Sequence, residues 1–166
     1  MALTQITGSG IGQVTDIKLG GSGSANTISD YEVGTFTPTL VSSGGDSLSI
    51  GTASGHYTKI GNVVYFRVQL QNIGTSGTTS SHAVRMFSLP FTIDVTNVNF
   101  TVLFDNVTLQ GSRTGMVGHS SHTDNYFQFQ AQGLVGGDAT DTPVDCGDIN
   151  SGVSDIFGTG FYYTDQ

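Results

Sequence analysis

Three clusters in this chain carry side chains able to do chemistry. His119-Ser-Ser-His122-Thr-Asp124 sets two imidazoles and a carboxylate within six positions, a spacing that can bring metal ligands or an acid–base pair into one loop. A metal reading needs a third or fourth ligand and hydrogen bonds that orient the first ones. The same residues also suit a polar, exposed loop tip. Asp138, Asp141, Asp145 and Asp148 invite calcium, with Asp145 and Asp148 as ligands. Their spacing departs from D-x-D-x-D-G, and no Glu follows to bind in bidentate fashion, so turn-forming aspartates explain them equally well. No resident cofactor is therefore expected, and calcium is the one ion these residues would suit. Tyr126, Tyr162 and Tyr163, with neighbouring amides and carboxylates and with His119 and His122, offer a glycan-binding surface; packing between subunits is the competing role. No catalytic residue is assigned. A Ser-His-Asp set can be drawn on paper, but no G-x-S-x-G elbow supports it, and no pair of carboxylates is set up for acid–base work. The expectation is a protein that is not an enzyme.

The elements that must position these residues are strands. The 166 residues contain 11% charged side chains against a usual quarter, with 24 Gly and only 3 Pro. Glu32 is the single glutamate and Lys18 and Lys59 the only lysines, while Thr, Val, Phe and Ser abound. That mixture belongs to strands and turns. Ten Phe and six Tyr can fill a core. The net charge of −8 repels phosphate backbones and anionic membranes, and Arg67, Arg85 and Arg113 are scattered, so no nucleic acid and no membrane insertion is expected. Cys146 is alone and reads as a small core residue. MALTQITGSG has neither a basic region nor a long apolar one, so no signal peptide is expected.

Along the chain, residues 1–27 form an extended Gly-rich arm, with GSGIG and GGSGSA around a short alternating piece. Ile11, Val14, Ile17 and Leu19 are its docking candidates. Residues 28–166 read as one domain of short strands, predicted to be an antiparallel β-sandwich of jelly-roll type. NVNFTVLF is the clearest strand, with Val98, Phe100, Val102 and Phe104 on one face. VTLQG is expected to continue it, GMVGHSSHTD and GGDATDTPVDCGD to be connections, and DIFGTGFYYT to be a final strand with a glycine bend.

SGHYTKIGNVVYFRVQL reads as a hairpin about Gly61-Asn62. Tyr57 then faces Phe66 and shares the core side with Val64, Val68 and Leu70, while His56 faces Arg67 on the other side. Lys59, opposite Val64, has to snorkel past the turn.

Asp30-Tyr-Glu-Val-Gly-Thr-Phe-Thr-Pro38 resembles the D-Y-E-E-G-T-W-T-P opening of a module common in bacteriophage tail-fibre and other virion proteins. Val33 and Phe36 depart from it. Gly55-His-Tyr-Thr-Lys-Ile-Gly-Asn62 and Ser88-Leu-Pro-Phe91 also look like that module. The resemblance implies a phage virion structural protein, homotrimeric, bound through its arm to other virion proteins of tail or capsid. It implies a short tail-fibre or receptor-binding component that contacts host cell-surface polysaccharide. The alternative is a capsid decoration, cement or head-fibre protein. It carries over no catalytic residue.

Overall fold

A computed structural model describes residues 16–18, 27–94, 97–120, 125–135 and 138–166. β1 (Asp16–Lys18) and β2 (Thr27–Ser29) pair with each other, Ile17 opposite Ile28. Ile11, Val14 and Leu19 lie outside the described residues. The remaining strands are β3 (Tyr31–Phe36), β4 (Thr39–Ser42), β5 (Ser47–Ile60), β6 (Val63–Gly74), β7 (Val84–Phe87), β8 (Val98–Asp105), β9 (Arg113–Ser120), β10 (Phe127–Val135), β11 (Asp138–Pro143) and β12 (Ser154–Tyr163).

These strands close a barrel, and the expected sandwich is corrected accordingly. Neighbours run β10-β7-β4-β5-β6-β12-β8-β9, and β9 pairs with β10 again, so eight antiparallel strands complete the circuit. β5 and β6 are 14 and 12 residues long, enough to coil around the core. One edge of β5 is shared by β3, opposite Gly55–Ile60, and β4, opposite Ser47 and Leu48. Thr37-Pro38 separates β3 from β4, where a proline removes a ladder donor. One edge of β10 is likewise shared by β7 and β11.

The hairpin register is the one read from the sequence: Ile60 faces Val63, Lys59 Val64, Tyr57 Phe66 and His56 Arg67. Gly61 turns the chain at φ 58°, a conformation that costs glycine little. Four other expectations change. GMVGHS belongs to β9, part of GGDATDTP forms β11, and VTLQG is no strand, with only Val107 bridged to Ile149. Beyond β7, Ser88 at φ 61° turns the chain so that Leu89 enters the core.

The fourth change concerns β12, which runs through its glycines without the expected bend. Its inner face reads Ile156, Gly158, Gly160, Tyr162. The ring of Phe100 occupies the room these glycines leave: a Cβ on Gly158 would lie 2.5 Å from that ring, and one on Gly118 of β9 would lie 1.7 Å from it. Phe66, Phe100, Phe127, Phe129 and Tyr162 fill the barrel as an aromatic centre, with Leu40, Val64, Val68, Leu70, Met86 and Ile156 around it. Rings meet edge-on or stacked, as between Phe100 and Phe127 at 5.0 Å and Phe66 and Phe127 at 5.7 Å. Cys146 is buried in this core, and burial raises its thiol pKa, as suits a packing residue.

Candidate functional site

The predicted clusters separate in space. His119 lies on β9, where its Nδ1 is 2.7 Å from Asn99 Oδ1; His122 and Asp124 lie outside the described residues. Asp145 precedes and Asp148 ends a short 3₁₀ turn at Cys146–Asp148. Asp148 is buried, and its Oδ2 accepts the backbone N–H of Asp145 at 3.0 Å, closing the turn on itself. Burial, reinforced by the charge of Asp148, raises the Asp145 pKa. Among the described residues no three His, Cys, Asp or Glu side chains gather as a metal site would need.

The three tyrosines do not form one platform. Tyr162 is fully buried inside the barrel, which removes it from any glycan surface. Its neighbour Tyr163 points outward, because successive strand residues face opposite sides. Tyr126 packs against β7, its ring 5.0 Å from that of Phe87 and 4.7 Å from the Arg85 guanidinium.

At the hairpin end of the barrel, three segments far apart in sequence form a clasp. Asp30, just before β3, accepts a charge-assisted bond from the Lys59 ammonium. That lysine is 1% exposed, and so does not snorkel past the turn into solvent as the sequence suggested. Its ammonium also lies 5.3 Å from the centre of the Phe91 ring. Tyr57 donates its O–H to Glu32 and meets Phe91 edge-on at 5.3 Å. Tyr162 Oη donates to the Phe91 carbonyl at 3.0 Å and receives the Phe91 N–H at 3.2 Å. The segment from Ser88 to Asp94 is thereby held over the barrel mouth, with Leu89 and Ile93 buried beneath it. The D-Y-E, Y-T-K and L-P-F residues are neighbours because they build this clasp.

Both clasp phenols have pKa values raised above their ordinary 10.0: Tyr57 first by its bond to Glu32, Tyr162 first by burial. The unfolded chain ionises these phenols near pH 10, while the fold keeps them neutral. Their contribution to stability is therefore complete below pH 10 and is lost as pH climbs toward the folded values. We expect the urea midpoint to fall between pH 9 and pH 11, with a shallower fall in Tyr57→Phe. Equal slopes would show that Glu32 does not hold the Tyr57 proton.

The outer wall of β3, β5, β6, β12 and β8 is unlike the rest of the surface. Cross-strand pairs place Tyr31 beside Ile60, Val33 beside Thr58, Tyr65 beside Phe161 and Leu103 beside Phe157. Tyr65 and Phe161 touch at 6.0 Å between ring centres. Among the described residues, every large exposed hydrophobic side chain except Val153 lies on this wall: Tyr31, Val33, Ile60, Tyr65, Leu103, Phe161 and Tyr163. Below the aromatic end the wall dips into a groove of about 360 Å³ across β5, β6, β12 and β8. Ser54, His56, Arg67, Thr101, Leu103 and Phe157 line it.

Sequence reasoning placed His56 and Arg67 correctly on the outer side but attached no function to them. It missed Phe157 and Leu103. Their signal was present in β12, where Ile156 and Tyr162 alternate with Phe157, Phe161 and Tyr163, a strand apolar on both faces rather than apolar inside and polar outside.

The protein is thus an antiparallel β-barrel with an aromatic core, a clasped mouth and one apolar outer wall that borders a partly basic groove. Compared with protein-family models and with curated proteins, its sequence matches none.

Proposed function

We propose that this chain is a bacteriophage virion structural protein, a short tail-fibre or receptor-binding component that acts in host attachment as a homotrimer. It works by binding and assembly, without catalysis and without a cofactor. The virion assignment rests on the resemblance of the residue 30–38, 55–62 and 88–91 segments to the phage module; their meeting in one clasp supports reading them as a unit. The observation that carries the assembly part is the outer wall, where Tyr31, Val33, Ile60, Tyr65, Phe161 and Tyr163 lie exposed together at the hairpin end. A monomer in water seldom leaves a contiguous apolar surface of this kind uncovered. Other copies of the chain are the natural cover of this hairpin-end patch, since one repeated contact protects it on every copy and also covers the edge of β3 that pairs with no strand among the described residues. Three joined barrels would then bind a surface multivalently, which strengthens weak individual contacts.

Two measurements test this. Sedimentation of the purified full chain should give a trimer, and Tyr65→Arg combined with Phe161→Arg should give a folded monomer. A wild-type monomer at tens of micromolar would overturn the assembly. Antibody labelling of phage particles should then mark the tail. Label spread in many copies over the capsid would replace the tail assignment with head decoration.

A further inference from the structure

We infer that the groove on the outer wall is a binding site for a carboxylated saccharide, with Arg67 as the residue that receives the carboxylate. The inference deepens the attachment reading and rests on it for its biological sense, but it stands on its own geometry. Arg85 is engaged by Gln128 and Tyr126, and Arg113 by the Gln110 carbonyl. Arg67 alone of the three arginines has no hydrogen-bond, ion-pair or ring partner among the described residues. His56 faces it directly across the β5–β6 pair, so the middle of the groove carries the two nitrogen-bearing side chains side by side.

The nearest outward acids in register are already engaged or set apart. Asp155 accepts the Asn72 backbone N–H at 2.9 Å and lies four residues along β12 from Thr159, the partner of Arg67. Glu32 is turned to Tyr57 on the inner side. Among the described residues no acid pairs with Arg67, and its planar donors match a carboxylate in bidentate fashion.

The rest of the lining selects the carrier of that carboxylate. Phe157 and Leu103, the latter 71% exposed, form an apolar bank against which the C–H face of a sugar ring can lie. Ser54 and Thr101 supply hydroxyls for exchange with sugar hydroxyls. A volume near 360 Å³ lies at the small end of ligand sites and suits a short stretch of saccharide rather than a folded protein. The chain's overall negative charge acts against any anion at long range, but that repulsion is screened beyond about 8 Å at physiological salt. A uronate therefore has to be recognised at contact, which is where Arg67, His56 and Phe157 meet it.

The test uses the full chain titrated with trigalacturonate by calorimetry, alongside a neutral galactose trisaccharide and tetraglutamate. Wild type should bind trigalacturonate saturably and the neutral sugar at least about tenfold more weakly, because a charge-assisted pair is lost. Arg67→Gln should weaken trigalacturonate binding by a similar factor with its thermal midpoint unchanged, and Arg67→Lys should restore part of it. Equal binding of tetraglutamate would overturn the saccharide assignment in favour of an acidic peptide. Binding seen only in the Tyr65→Arg/Phe161→Arg monomer would overturn it in favour of a groove covered by another copy. No binding by wild type, or none of it lost in Arg67→Gln, would also sink the site. A trimer found on the phage tail would in that case leave the attachment reading standing.

Discussion

Phe66→Ala should cost about 3–5 kcal/mol, the largest effect expected of any single truncation in this protein. Phe66 is buried near the hairpin end of β6, on the face that the whole barrel encloses. Its ring meets Phe100 at 5.2 Å, Phe127 at 5.7 Å and Tyr162 at 5.8 Å, so truncation takes contacts from β8, β10 and β12 at once. Collapse cannot refill the space cheaply, because the strands around it are tied into a closed circuit and Phe100 is already seated on glycines. Chemical denaturation at fixed protein concentration measures the loss, and repeating it at a second concentration separates the effect of the truncation from that of any self-association. A cost under about 1 kcal/mol would mean that the aromatic centre is loosely filled.

The second large effect lies in the clasp and has a diagnostic asymmetry. Asp30→Asn should cost about 2–3 kcal/mol, since it leaves the Lys59 ammonium buried without its counter-charge. That is below the 3–5 kcal/mol usual for breaking a fully buried pair, because the Asp30 side chain is 54% exposed and water shares its charge. Asparagine is the right probe here: Asp30 sits at φ 56°, a left-handed conformation that Asn tolerates and Ala does not. Lys59→Met keeps the apolar stem and removes the charge, so it should change stability by less than about 1 kcal/mol. In the Lys59→Met background, Asp30→Asn should then cost almost nothing. A double-mutant cycle reads this coupling directly. Additive costs would show that Asp30 acts through its backbone conformation and not through the ion pair.

The hairpin of β5 and β6 shows how far local pattern reaches. Alternating apolar residues on either side of Gly61-Asn62 determine which residues oppose each other and which share a side, since a slip of one position would turn every core residue outward. His56 and Arg67 were placed together on the outer side by the same logic. Lys59 marks its limit. Alternation sends it inward, but its partner Asp30 is 29 positions away and its ring contact Phe91 lies beyond the hairpin altogether. Tyr162 and Tyr163 give the same lesson on one strand: composition makes both equal candidates for a sugar surface, and strand side alone buries one and exposes the other.

Local pattern was enough to read the all-β class, the turn at Gly61-Asn62, and the side on which most strand residues of β5, β6 and β8 stand. These follow from local rules: turn chemistry, side-chain period and strand propensity. That the sheet closes into a barrel instead of stacking as a sandwich depends on long-range pairing. A period of two is identical for a face that packs on a second sheet and for one that curls upon itself. The choice is made by hydrogen bonds between distant strands, β9 with β10 and β12 with β6 and β8, and by glycines that let Phe100 sit close to the wall. The same closure sets five strands side by side on the outside, and so brings scattered residues such as Tyr31, Arg67, Leu103 and Phe161 onto one wall.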